Sequence, residues 1–349
     1  MVVPISFRSD NDAGASPQIL AAMAACNEGP AYPYGADEWT RAAEAALERV
    51  FGRPVQMLLV STGTAANSLA LASMSPPWGS ILCHRQAHSN TDECGAPEFF
   101  GAGLKMVASA SPGSRLDAAV LSRELAAGRG DVHAVQPSGV TITQSTEEGQ
   151  VYSTEEVAAI GRACRNAGVP LHMDGARFAN ALVAAGCTPA EITWKAGVDL
   201  LSFGATKNGA LGAEALLVFN EELLASLPFR RKRAGHLLSK MRFMGAQMWA
   251  YLEGELWLDN ARHANAMARR LADGLGRLGI EFVAPPVTNL LFVRLPPQMI
   301  AQLLRQGFDF YHGGRWDPGV ARLVTSFRTT TEEVDSFLAA ANAASGDGL

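Results

Sequence analysis

The sequence predicts an α/β fold: a large domain on a mostly parallel central sheet, followed by a smaller C-terminal α/β domain. Three observations carry that expectation. Short apolar runs alternate with amphipathic helical patterns, as when helices are layered on a sheet. A chain of 349 residues suggests about two domains at roughly 150 residues each. The pattern also changes near residue 255, where a long amphipathic stretch begins. The expected division is an N-terminal arm over 1–15, a large domain over 16–255 and a small domain over 256–349.

The elements follow in order. An apolar strand over 57–60 runs into Ser61-Thr62-Gly63-Thr64-Ala65-Ala66-Asn67, which opens a helix over 67–74. Ser153 and Glu156 form a capping box, S-x-x-E. Val157, Ile160, Cys164 and Ala167 then fall on one helical face, and Gly168 ends that helix. A buried strand ends at Asp174-Gly175, a second helix covers 178–185 up to Gly186, and a strand over 198–203 stops just before Lys207. Asp174 and Lys207 thus lie at the carboxyl ends of two core strands, the edge where open α/β sheets bind ligands. Between 228 and 255 a basic run, Arg230-Arg231-Lys232-Arg233, precedes a helical pattern with Met244, Met248, Tyr251 and Leu252. The small domain reads as a helix over 256–278, a strand over 289–295, a helix over 298–305, a strand over 321–326 and a last helix announced by Thr330 and Glu333.

Composition narrows the function. Hydrophobic residues make up 48% and charged residues 18%, which supports a large core and not disorder. The net charge of −5 comes with no basic stripe, so nucleic-acid binding has no electrostatic footprint. The apolar runs, such as 57–60 and 216–219, are far too short to span a bilayer. The first residues show no charged segment followed by an apolar one, so no signal peptide is expected. The five cysteines have no C-x-x-C spacing. Free thiols in a reducing cytoplasm fit them better than disulfides, and no His/Asp/Glu cluster has metal-ligand spacing.

The chemistry concentrates around Lys207, which closes the small-residue run Phe203-Gly204-Ala205-Thr206-Lys207. A half-buried lysine loses its proton more easily and becomes a nucleophilic amine. That is the group that holds pyridoxal phosphate as a Schiff base. This cofactor also needs an acid on its pyridine nitrogen, a phosphate cradle, a plate against the ring and a cation for the substrate carboxylate. Asp174 suits the first need, although an Asp before Gly175 is also an ordinary turn residue. Gly63 and Thr64 at a helix start suit the second, through first-turn N–H groups and hydroxyls. His88 suits the third, with His84 competing. Arg177 and Arg322 suit the fourth, since a guanidinium pairs bidentately with a carboxylate.

Together Ser9-Asp10, Tyr34-Gly35-x-Asp37, the Thr62-Gly63-Thr64 run with Asn67, Ala87-His88, Asp174-Gly-Ala-Arg177, Lys207 and Arg322-Leu-Val-Thr325 resemble the L-threonine aldolases of the low-specificity kind, from about residue 6 to about 335. These are pyridoxal-phosphate enzymes of the aspartate-aminotransferase fold, fold type I, grouped with the β-eliminating lyases. The resemblance implies that Lys207 carries the cofactor, Asp174 pairs with the pyridine nitrogen, and His88 stacks on the ring with a possible role as base. It implies Gly63 and Thr64 as phosphate ligands, and Ser9, Arg177 and Arg322 as the clamp on the substrate carboxylate. Tyr34, with one or more of Arg231, Lys232 and Arg242, is implied to reach a neighbouring subunit's site in a homodimer or homotetramer. One departure stands out. Where many members carry Thr-His-Asn-Gly, this chain reads Thr146-Glu147-Glu148-Gly149. Glu147 then competes with His88, or a water, as acceptor of the substrate hydroxyl proton. The implied reaction is retro-aldol cleavage of threonine, allo-threonine or a related β-hydroxy-α-amino acid, such as phenylserine, to glycine and an aldehyde. The alternatives are β-elimination, transamination or racemisation on the same scaffold, or a silent pyridoxal-phosphate-binding protein.

Overall fold

A computed structural model describes residues 5–314 and 316–346. Seven strands form the central sheet: β1 (Gln56–Val60), β2 (Gly79–Cys83), β3 (Lys105–Ala108), β4 (Gln136–Thr143), β5 (Leu171–Gly175), β6 (Leu200–Phe203) and β7 (Glu214–Val218). Their order across the sheet is β1-β7-β6-β5-β4-β2-β3. Strand β7 runs antiparallel to both neighbours, and the other pairings are parallel. The expectation of a mostly parallel sheet therefore holds.

Period-two alternation sorts the strand residues onto two faces. Leu59, Met173, Leu201, Phe203 and Leu217 pack to one side, against helices α1 (Glu38–Phe51), α3 (Thr154–Ala167) and α4 (Phe178–Ala185). Leu58, Val60, Leu200, Leu216 and Val218 pack to the other, against α2 (Gly63–Met74). Helix α2 is buried along most of its length because alanines let it sit close to the sheet. The α3 capping box forms as expected: the Ser153 hydroxyl accepts the Glu156 N–H at 3.2 Å, and the Glu156 carboxylate accepts the Ser153 N–H at 2.8 Å. Gly168 ends the helix at φ 63°, in the left-handed region that glycine enters without penalty.

Most boundaries fall within a residue or two of the sequence reading, and two of the differences have a clear local cause. Helix α2 begins at Gly63 and not at 67, because the Thr62 hydroxyl caps it by accepting the Ala65 N–H at 3.1 Å. Strand β6 begins at Leu200 and not at 198, because the Val198 N–H closes a turn onto the Thr193 carbonyl at 3.1 Å and does not enter the ladder.

The second sheet holds β8 (Glu281–Phe282), β9 (Leu290–Arg294), β10 (Tyr311–His312) and β11 (Val320–Val324), all antiparallel in the order β10-β11-β9-β8. One face packs against α5 (Leu256–Arg277), α6 (Pro297–Arg305) and α7 (Thr331–Gly346), through Leu291, Val293, Leu323, Leu271, Leu303 and Phe337. The chain start joins this layer. Ile5–Ser6 pairs with Phe308–Asp309, and the Phe7 carbonyl accepts the Val324 N–H at 2.8 Å. Ser9 and Asp10 follow at once, and so are delivered to the carboxyl edge of the large sheet.

Gly204, between β6 and Lys207, permits a close backbone crossing. A Cβ there would lie 2.5 Å from the Ala176 carbonyl oxygen and 2.8 Å from its Cα. Neither atom can move without shifting the Asp174 and Lys207 loops. Gly204→Ala is expected to lower stability by about 1–3 kcal/mol, as overpacking does. Urea unfolding would read this as a lower midpoint at unchanged slope, and a midpoint equal to wild type would refute it.

Candidate active site

Lys207 sits in the short turn Thr206–Asn208, immediately after β6. Three neighbours hold that turn. The buried Glu214 carboxylate accepts the Ala205 N–H at 3.0 Å and the Thr206 N–H at 3.3 Å. The Asn208 amide donates to the Tyr251 hydroxyl and the Trp257 carbonyl, both at 2.8 Å. Tyr251 in turn donates to the Gly204 carbonyl at 3.2 Å. Burial pushes the Glu214 carboxyl above its ordinary value, against the pull of those donors and Lys207.

Lys207 lines a cavity of about 280 Å³ with Thr62, Gly63, Thr64, His88, Asp174 and Arg177. Asn67, Glu93, Thr143, Ser145, Glu147 and Glu214 complete much of its wall. A second cleft, of about 490 Å³, shares Lys207, His88, Glu147 and Arg177 and adds Ser9, Tyr311, Trp316 and Arg322 from the small-sheet side. The sequence-predicted groups Lys207, Asp174, His88, Gly63, Thr64, Arg177, Ser9, Arg322 and Glu147 therefore converge. Tyr34 does not join them within one chain. Its ring is half exposed, with the Lys232 ammonium 5.2 Å from the ring centroid, and Arg242 donates to the Gly29 carbonyl at 2.8 Å.

Asp174 stands on β5 with Asn67 of α2 donating to its Oδ2 at 2.9 Å and the Ala176 N–H to its Oδ1 at 3.0 Å. His172, two residues earlier on the same face, is fully buried between the Thr141 and Ser202 hydroxyls, each at 2.9 Å. Burial pushes its imidazole down to about 4, so a neutral ring underlies the acid. His84, the competitor for the stacking role, points elsewhere: its Nε2 meets the Gly113 carbonyl at 2.9 Å. The Arg177 guanidinium forms a bidentate pair with Asp10 at 2.7 and 2.9 Å. Burial opposes ionisation of Asp10, but Arg177 outweighs it and holds the carboxyl below its ordinary value. Arg322 donates to the Arg8 carbonyl at 3.2 Å and lies 5.9 Å from the Tyr311 ring centroid.

Glu147 lies at the tip of a turn closed by the Thr146 and Gln150 backbones at 2.8 Å and by Gly149 N–H to the Thr146 carbonyl at 2.9 Å. It lines both cavities. Burial first, and Asp174 second, raise its carboxyl above the ordinary value, while His88, Arg177 and Lys207 oppose them.

The reading of the sequence missed Glu93, which accepts from His88 Nδ1 at 2.9 Å and from Asn67 at 2.8 Å. It also missed His236, whose Nδ1 meets the Ser61 hydroxyl at 3.1 Å beside the Thr-Gly-Thr loop. Neither carries a periodic signal, because both sit in irregular segments brought in by the fold. A wider groove of about 920 Å³, beside Ser153 and Cys187, shares no residue with the Lys207 cavity. Among the described residues no group of His, Cys, Asp or Glu has metal-binding geometry, and no helix is long and apolar enough to cross a membrane.

The cavity suits a phosphorylated pyridine aldehyde. It joins an amine, an acid, an imidazole and a helix start whose first-turn N–H groups have no partner inside the helix. The Ser145 hydroxyl and the Asn67 carbonyl oxygen on its wall are buried without a partner. Residues 6–296 match the β-eliminating lyase family, and the chain belongs to it. It is a lyase that uses pyridoxal phosphate. A low specificity L-threonine aldolase from a Pseudomonas species is 43% identical over 91% of this chain and 94% of its own length. The threonine aldolase of Leishmania major superposes with a TM-score of 0.92 at 31% identity, covering 98% of this chain and 100% of that one. Aspartate aminotransferase from Thermus thermophilus shares the fold, with a TM-score of 0.70 at 15% identity over 97% of this chain and 96% of its own.

Proposed function

We propose that the chain cleaves L-threonine, and related β-hydroxy-α-amino acids such as allo-threonine and phenylserine, to glycine and an aldehyde. The carrying observation is the convergence of Lys207, Asp174, His88, Arg177 and Glu147 on one cavity. Bound pyridoxal phosphate supplies a protonated ring that accepts the electron pair released when a bond at Cα breaks. Lys207 is the amine that tethers the cofactor. The Asp174 carboxylate, fixed by Asn67 and the Ala176 N–H, keeps the ring nitrogen protonated. Gly63 and Thr64 hold the phosphate. Ser9, Arg177 and Arg322 hold the substrate carboxylate, with Asp10 fixing the plane of Arg177. This clamp would fix the direction in which the Cα–Cβ bond is held. Glu147 accepts the hydroxyl proton as that bond breaks, the aldehyde leaves past Tyr311 and Trp316, and a proton delivered to Cα gives glycine.

The cleft walled by Tyr311 and Trp316 has room for an aryl group as well as a methyl. In a panel of threonine, allo-threonine, phenylserine and serine, acetaldehyde or benzaldehyde with equimolar glycine is expected from the first three. The expected kcat/KM for phenylserine is at least that for threonine. Keto acid or ammonia in place of glycine would refute the reaction, and exclusion of phenylserine would refute the reading of the cleft.

Tyr34 and the basic segment with Arg231, Lys232 and Arg242 serve the site of a second copy of this chain, in a dimer or tetramer in the cytoplasm. The exposed Tyr32, Tyr34 and Phe229 on that side support this reading. Sedimentation of the holoenzyme would test it, and an active monomer would exclude it.

A further inference from the structure

We propose that Glu93 is a positioning residue, which grips the His88 ring by Nδ1 and ties it through the Asn67 amide to Asp174, so that ring plate and acid move as one body. The inference rests on the reading that His88 and Asp174 face the cofactor ring.

The geometry is a continuous chain of hydrogen bonds from His88 to Asp174. Glu93 Oε1 accepts from His88 Nδ1 at 2.9 Å and from Asn67 Nδ2 at 2.8 Å, and the same Nδ2 donates to Asp174 Oδ2 at 2.9 Å. A carboxylate only accepts, so Nδ1 of His88 carries a proton and the ring orientation is set. Both Asn67 donors go to carboxylates, which fixes the amide orientation as well. The Glu93 side chain is 1% exposed, whereas His88 is 37% exposed and faces the cavity. The arrangement sacrifices hydrogen bonds elsewhere. Glu93 Oε2 and Asn67 Oδ1 are buried without partners, a penalty that a cluster built only for stability would avoid.

The charged groups facing His88 come from several elements: Glu93 from its own segment, Asp174 from β5 and Glu147 from the loop after β4. Asp92, Arg177 and Lys207 line the same cleft. The hydrogen bond to Glu93 is the largest influence and holds the imidazole above its ordinary value, against burial. The plate is therefore cationic over a wider pH range than a free histidine. Removal of Glu93 frees the ring to rotate and lets Asn67 release Asp174.

The test uses holoenzyme with ¹³C-labelled histidine and compares E93Q, E93A and H88A with wild type. Three readouts are needed: the circular dichroism of the cofactor band, the titration of the His88 ring by NMR, and kcat against KM. A carboxamide oxygen still accepts both donors, so E93Q is expected to keep the dichroic band and most of kcat while the His88 midpoint falls. E93A is expected to weaken the band and to lower kcat about 10–100-fold, the scale of a small misplacement, with KM little changed. Should E93A fail to fold, E93Q still decides, because its His88 midpoint must fall. An unmoved midpoint in E93Q, or wild-type dichroism and kcat in folded E93A, overturns the proposal. If H88A damages dichroism and turnover while both Glu93 variants behave as wild type, only the linkage fails. If H88A itself is silent, the placement of His88 against the ring fails and the proposal with it.

Discussion

Replacing Lys207 by alanine is expected to abolish the yellow absorbance of the holoenzyme and to lower turnover by about 10³-fold or more. The effect is large because no neighbour can substitute. Glu93, Glu147, Asp174 and Glu214 share the cavity and are acids, and Arg177, paired with Asp10, offers a guanidinium that is not a nucleophilic amine. The turn that carries Lys207 is fixed by Glu214 and Asn208 through backbone and side-chain contacts that do not use the lysine amine. Truncation should therefore leave the fold intact. Far-UV dichroism and the thermal midpoint should match wild type while the visible band is lost. Lys207→Arg keeps the positive charge and is expected to be as inactive as alanine, because a guanidinium is not a nucleophilic amine at neutral pH. A coloured, active K207A would place the cofactor lysine elsewhere and end the assignment of this cavity.

How much of this site was legible in the sequence follows from how local each signal is. Asp174 and Lys207 were readable because each closes a short buried strand, and strand ends share one edge of a parallel sheet. The α3 and α7 starts were readable because capping boxes are complete within four residues; at α7 the Thr330 N–H meets Glu333 at 2.8 Å and the Glu333 N–H meets the Thr330 hydroxyl at 3.2 Å. The family resemblance supplied the roles of Ser9, Arg322 and Glu147, which no periodicity could. Glu93 was invisible because it follows His88 through an irregular segment, and its meaning depends on Asn67, which arrives from α2. The Asp10–Arg177 pair spans most of the large unit in sequence. Asp10 appeared only as the neighbour of Ser9, although it is the buried anchor of the pair. Long-range polar contacts of this kind have no spacing rule, so they appear only once the chain is folded.

Glu147→Gln is expected to lower kcat by about 10²–10⁴-fold, the usual contribution of a positioned acid or base, with the cofactor absorbance retained. The pH profile separates Glu147 from His88 as acceptor of the hydroxyl proton. An acceptor must be deprotonated, so kcat/KM rises with pH through its pKa. Burial and Asp174 raise Glu147 above its ordinary 4.5, so the acid limb begins to fall at a higher pH than an exposed glutamate would give. His88 is raised above its ordinary 6.5, chiefly by Glu93, so a histidine base would put the limb above that of a free histidine. With Glu147 as base, E147Q removes the acid limb along with most of the rate. His88→Gln should then disturb cofactor dichroism while leaving a carboxylate-like limb. The opposite pattern, with E147Q keeping the limb and H88Q losing it, would transfer the role to His88. The aldehyde substituent gives a further check. A base acts on the β-hydroxyl whatever lies beyond it, so E147Q should slow threonine and phenylserine by similar factors. Loss confined to one of them would instead mark Glu147 as part of the wall around the side chain.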